Sequence, residues 1–134
     1  MTELHWNATE LNALSERVIG VCIDVHRTLG PGLLESAYEQ CVCHGLEQEG
    51  LQFKRQQPLA VEYRGLRMDC AYRVDLIVEG LVILELKAVE QVLRVHEAQL
   101  MTYLKLSGLP LGLLINFCVP MLKEGITRRK NGHW

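Results

Sequence analysis

Several features are missing from this sequence, and each absence removes a class of protein. No CxxC pair occurs among the five cysteines, Cys22, Cys41, Cys43, Cys70 and Cys118, so the spacing that zinc ribbons and fingers need is not there. Cys41, Cys43 and His44 are close in the chain, but residues two apart on a helix face different directions. Packing as reduced thiols is the expected role of the cysteines. No stretch approaches the roughly 18 to 20 apolar residues of a membrane span, so no membrane partner is expected. Positive charge is not in excess either: 14 Lys and Arg stand against 16 Asp and Glu, for a formal net charge of -2. The molecule as a whole does not draw in polyanions, and any nucleic-acid contact must come from local patches. The opening stretch MTELHWNATELNAL carries acids and polar groups where a signal peptide needs a basic start and an unbroken apolar run, so a cytoplasmic location is expected. Internal repeats, linkers and low-complexity segments are also missing. A chain of 134 residues, 49% of them hydrophobic, suffices for one core and not for two, which predicts a single domain over residues 1–134.

What is present is strong periodicity. From Thr9 to Leu29 the apolar residues Leu11, Leu14, Val18, Val21, Cys22, Val25 and Leu29 recur every three or four positions, the period of an amphipathic helix. The GPG at Gly30 to Gly32 stops it. A second helix is expected from about Leu33 to Glu49, with Leu33, Leu34, Ala37, Tyr38, Cys41 and Leu46 on its inner face. After Gly50 the pattern changes to β-branched and aromatic residues in PLAVEYRG and RMDCAYRVDLIVEG, then LVILELKA, which predicts a three-strand meander. LRVHEAQLMTYLKLSG returns to helical spacing, LPLGLLINFCV reads as a buried strand, and the tail has room for one short edge strand. This order predicts a mixed α+β fold, a central sheet of about four to five strands with helices over its faces.

One feature does not fit a purely structural strand. In VILELKA, Val82 to Ala88, an apolar run goes straight into Glu85 and Lys87, and burying an unpaired charge costs roughly several kcal/mol. Asp75 and Glu85 flank a turn at VEGL. With a two-residue loop Asp75 would oppose Leu84, but a three-residue loop centred on Gly80 puts Asp75 across from Glu85, with Cβ atoms about 4.5 to 5.5 Å apart. Side chains alternate along a strand, so Lys87 shares the face of Glu85. Asp75, Glu85 and Lys87 are then expected together on one face. Two such acids suit a hard divalent cation such as magnesium; without one, their repulsion raises one pKa. The competing structural reading makes Glu85 and Lys87 an edge pair and Asp75 a surface acid near the turn.

The pattern D-x9-E-x-K on a hairpin resembles the PD-(D/E)xK nuclease superfamily, Asp75 standing for the first acid, Glu85 for the second and Lys87 for the lysine; Val74 replaces the proline before the aspartate. HRTLGPGLLESAY contains Gly32-x-x-Glu35-x-x-Tyr38, and from about Leu11 to Arg129 the chain is similar to the GxxExxY family of small bacterial proteins, a branch of that superfamily. HEAQLMTYL offers Gln99-x-x-x-Tyr103, which resembles the accessory helix motif of RecB-like nucleases. The resemblance implies a nuclease-like, restriction-endonuclease-like core and a magnesium or manganese ion held by Asp75, Glu85, the Leu86 carbonyl and Glu35. Catalytic roles would fall to Asp75, Glu85, Lys87 and Glu35. His96, Gln99 and Tyr103, one stripe of one helix, are accessory candidates that would reach phosphate or brace Lys87, and His26 and Tyr38 match the family pattern. Each has a bland reading as well: Glu35 as a first-turn acid, and Tyr103, Tyr38 and His26 as core residues.

The expected function is therefore metal-dependent hydrolysis of phosphodiester bonds in nucleic acid, DNA before RNA. One small domain cuts one strand, so a homodimer or a protein partner is a further expectation. Lys54 and Arg55, the set Arg64, Arg67 and Arg73, and the set Arg128, Arg129 and Lys130 are candidate phosphate contacts or solvated surface. The alternative is a noncatalytic nucleic-acid-binding or assembly module with the same fold.

Overall fold

The structure is a computed structural model in which residues 6–134 are described, the Cys70 side chain excepted. Helix α1 (Ala8–Leu29) starts at Asn7, whose side chain accepts the Glu10 N–H at 2.8 Å, a standard N-cap. It ends at Gly30, φ 77°. Helix α2 covers Glu35–Gln48, two residues later than the apolar pattern suggests. The reason is Tyr38: its hydroxyl donates to the Gly30 carbonyl and accepts the Leu33 N–H, so the segment through Leu33 is tied as a turn. Leu34 precedes the helix and is exposed instead of lining the inner face.

The sheet has five strands in the order β1 (Phe53–Tyr63), β2 (Leu66–Val78), β3 (Val82–Lys87), β4 (Leu111–Asn116) and β5 (Ile126–Lys130). The first three form the antiparallel meander read from the sequence, α3 (Arg94–Ser107) carries the chain across to a parallel β4, and β5 closes the far edge antiparallel. Strand β1 begins five residues before the expected PLAVEYRG, taking in the polar stretch FKRQQ. Pro58 is accommodated because β1 is an edge strand with one side unpaired.

Both faces are covered, giving the expected mixed α+β architecture. Helices α1 and α2 pack on one face through Val18, Cys22, Tyr38, Val42 and Leu46, against Leu76, Val78, Leu84, Leu86, Leu113 and Ile115. Helix α3 covers the other with Leu100, Tyr103 and Leu104 on Leu59, Val74, Ile83 and Leu114. Strand β3 is buried from Val82 through Leu86, which makes Glu85 a charged residue inside a strand that water hardly reaches. No described helix is long and apolar enough to cross a membrane.

Candidate active site

The geometry begins at the β2–β3 turn. Glu79, Gly80 and Leu81 form a three-residue loop with Glu79 and Gly80 at positive φ, 53° and 65°. The ladder runs Val78↔Val82, Ile77↔Ile83 and Leu76↔Leu84, the register in which Asp75 meets Glu85. There the backbone ladder stops and the next rung is made of side chains. The Asp75 N–H donates to Glu85 Oε2 at 2.8 Å, and the Leu86 N–H donates to Asp75 Oδ2 at 2.8 Å. Each carboxylate has one oxygen fixed by a main-chain donor, and the two groups adjoin closely enough for a protonated Glu85 to hydrogen-bond Asp75. Glu85 is 5% exposed. Burial first, then the field of Asp75, hold its carboxyl up at about 8; the Asp75 N–H and the Lys87 charge oppose the rise.

A second irregularity faces the first. Gln56 sits opposite Asp75, outside the β1–β2 pairing and at φ 49°. Beyond it both strands change parity: Leu76 and Val78 face α1 and α2, whereas Val74 and Leu59 face α3. Asp75 lines a cleft of about 250 Å³ on the α2 side with Glu35, Ser36, Glu39, Gln56 and Leu86, while Glu85 takes the α3 face with Ile83. The expectation of one shared face is thus corrected. Asp75 and Glu85 arrive from opposite sides and meet in the gap between β2 and β3. Lys87, half-buried, follows Glu85 in the alternation.

Glu35 is the first residue of α2, not three residues inside it, and it lines the cleft beside Asp75. One turn on, Glu39 is buried and grips the β1 kink: its Oε2 accepts from Arg55 Nη2 at 2.8 Å and its Oε1 from Gln56 Nε2 at 2.8 Å. Neither Glu39 nor Gln56 was legible as a site residue in the sequence. Glu39 has one signal, its i, i+4 spacing from Glu35, which puts both on one helix face; Gln56 has none. Asn116 was missed as well. Buried at the end of β4, it accepts the Val89 and Cys118 N–H groups and donates to the Val89 carbonyl, while Phe117 N–H donates to the Lys87 carbonyl. The chain after Lys87 is pinned by these bonds.

Of the accessory candidates on α3, Tyr103 comes to the acids. It is buried, its hydroxyl is pushed up to about 12 by burial and then by Glu85 and Asp75, and its ring is 5.8 Å from that of Tyr72. Gln99 is half-buried on the same helix. His96 turns to the helix start, where Nδ1 accepts the Leu93 N–H. Tyr38 is fully buried and stacked on Phe117 with centroids 4.1 Å apart. His26 is buried too, Nε2 2.8 Å from the Val119 carbonyl. The bonds these two side chains make are to main-chain groups. The basic clusters are partly spoken for: Arg55 pairs with Glu39, Arg67 with Glu62 and Asp69, and Arg129 with Glu97.

The profile of the PD-(D/E)XK nuclease superfamily matches residues 12–129. The chain belongs to that superfamily. Comparison with curated proteins and with solved structures gives no match. The D-x9-E-x-K pattern thus falls where the β2–β3 pairing gives way to main-chain bonds onto two carboxylates. Among the described residues no group of three or more His, Cys, Asp and Glu side chains is gathered for a metal; Asp75 and Glu85 are a pair, and Glu35 lines the cleft with Asp75.

Proposed function

We propose that this PD-(D/E)XK protein is a divalent-metal-dependent nuclease that hydrolyses phosphodiester bonds, in DNA before RNA. The observation that carries the reading is the adjoining Asp75 and Glu85 carboxylates in the β2–β3 gap, where burial and then the charge of Asp75 push the Glu85 carboxyl up to about 8. The residues fit a hard cation. All the donors are oxygen, and one oxygen of each acid is fixed by a backbone N–H. Members of the superfamily generally use divalent ions. Asp75, Glu85, the Leu86 carbonyl and Glu35 would hold magnesium or manganese. When bound, the ion supplies Lewis acidity at the phosphate and lowers the pKa of water.

The chain's own groups do the rest. Lys87, two residues after Glu85 and on the same side of β3, would orient the attacking water and stabilise charge growing on the phosphoryl oxygens. Tyr103 walls the α3 side and limits water at Glu85. The test is cleavage of labelled DNA with manganese. Glu85→Ala and Lys87→Ala are each expected to lower the rate by at least about a hundredfold while the circular-dichroism spectrum is kept; activity surviving both substitutions refutes the assignment.

The arginine pairing supports a second reading, a noncatalytic module, because few cations near the acids are free for phosphate. Calorimetric titration separates the two. Manganese binding lost in Asp75→Asn and Glu85→Gln belongs to the nuclease, and binding indifferent to both belongs to the module.

A further inference from the structure

Beyond Gln56 and Asp75 the β1–β2 hairpin leaves the sheet. Strand β3 pairs only with Leu76 to Val78, so the hairpin from Gln57↔Val74 to Tyr63↔Leu66 pairs with itself alone. Seven residues separate Gln56 from Tyr63, roughly 20 Å of projection. The pairs Leu59↔Tyr72, Val61↔Met68 and Tyr63↔Leu66 run along the arm as its apolar stripe, with a register shift between Leu59 and Val61. The inner pair lies on the α3 face, where Leu59 packs. The stripe is unusually open: Tyr63 is 62% exposed, Leu66 59%, Met68 46% and Tyr72 41%. At its inner end Tyr72 abuts Tyr103, whose hydroxyl feels Glu85 and Asp75. Exposed apolar and tyrosine side chains therefore occur from the tip of the arm to its base beside the acid pair.

Charge on the arm narrows the occupant. Arg67 is bonded to both of the arm's acids, Glu62 and Asp69, which leaves Arg64 and Arg73 with no carboxylate partner among the described residues. Arg64 lies 5.2 Å from the Tyr63 ring centroid, a cation beside an aromatic face at the tip. Two free arginines are too few for a duplex, whose binding rests on neutralising many phosphates. Exposed tyrosine faces are of use to bases that are already unstacked.

We propose that the β1–β2 arm is a stacking platform for a single nucleic-acid strand, with Tyr63 and Tyr72 taking bases and Arg64 a phosphate, and that it delivers the strand to Asp75 and Glu85. The delivery rests on the nuclease reading; the platform itself does not. The occupant is an unpaired strand or the single-stranded part of a frayed or branched substrate. A second copy of the chain, covering the stripe by apolar contact, is the competing occupant.

The test is fluorescence anisotropy with a labelled oligodeoxythymidylate and a mixed-sequence duplex, in EDTA, so that no cleavage is needed. The expected result is binding of the single strand at least about tenfold tighter than the duplex, a loss of about tenfold in Tyr63→Ala, and near-complete retention in Tyr63→Phe. Tyr63 is exposed, so its variants are expected to fold; if thermal melting shows otherwise, Arg64→Ala and Met68→Ser, read in the same assay, take its place, each with a loss of severalfold. Equal affinity for strand and duplex overturns the proposal, as does Tyr63→Ala that leaves strand binding intact while turning a dimer into a monomer in sedimentation. Strand binding that depends on Tyr63 in a protein without cleavage refutes the nuclease and leaves the platform standing; Glu85-dependent cleavage with Tyr63-independent binding does the reverse.

Discussion

A carboxyl with an ordinary value of 4.5 that the fold holds at about 8 keeps its proton in the native protein across a range where the unfolded chain has lost it. Glu85 therefore costs nothing below the unfolded value, and stability falls as pH rises from about 4.5 to about 8, by an amount on the order of a few kcal/mol. The prediction concerns the protein in EDTA: the urea midpoint drops between pH 5 and pH 8, and Glu85→Gln, which stays neutral and keeps an acceptor for the Asp75 N–H, flattens that limb. Added manganese is expected to restore the midpoint most strongly above pH 8, where the carboxylate is the form to be compensated. Parallel pH profiles for the wild type and Glu85→Gln would remove Glu85 as the source. At this scale the meeting of Asp75 and Glu85 was legible because loop length sets register and register sets who faces whom. That they meet from two sides was not, because it depends on Gln56 taking a positive φ in mid-strand, held by a glutamate sixteen or more positions away.

Elements are joined here at points where a methyl group decides the outcome. A Cβ on Gly125 would lie 2.1 Å from the Asn116 carbonyl oxygen, a backbone atom at the end of β4 that cannot step aside. Gly125→Ala is expected to destabilise by about 1–3 kcal/mol or more, read from the denaturant midpoint, and to reduce cleavage as well, since Asn116 pins the chain that follows Lys87. Gly20, in the middle of α1, has nothing within 4 Å of the same added atom, and Gly20→Ala is expected to stabilise by about 0.5–1 kcal/mol through helix propensity. Opposite signs for one chemical change separate a packing contact from a backbone-entropy effect. The helices and the two inner strands were readable from apolar period alone, because their burial is continuous. The true start of α2 was not, since it is set by a hydroxyl on Tyr38 bonding back across the turn. The start of β1 was hidden for another reason: an edge strand carries polar residues and a proline at little cost.

On the scale of the whole molecule, the charge distribution predicts how the protein meets a polyanion. With a net charge of -2 and Arg55, Arg67 and Arg129 already holding acids, long-range attraction is weak, and affinity has to come from contact. Along the path from the arm's tip to the acids, Arg64 and Lys87 have no acid bonded to them among the described residues. At about 0.7 counterions released per phosphate on a single strand, two contacts give a slope of log affinity against log salt of about -1.4. The measurement is anisotropy with oligodeoxythymidylate over a salt series in EDTA. Arg64→Ala is expected to make the slope shallower by about 0.7 and Arg73→Ala, on the other side of the ribbon from Tyr72, to leave it as it is; Tyr63→Ala lowers affinity and leaves the slope unchanged, because a lost stack releases no ion. A wild-type slope steeper than about -5 would mean that a broad cationic surface is at work, and affinity would then have to be reassigned from the arm to the clusters at Lys54 and at Arg128 to Lys130.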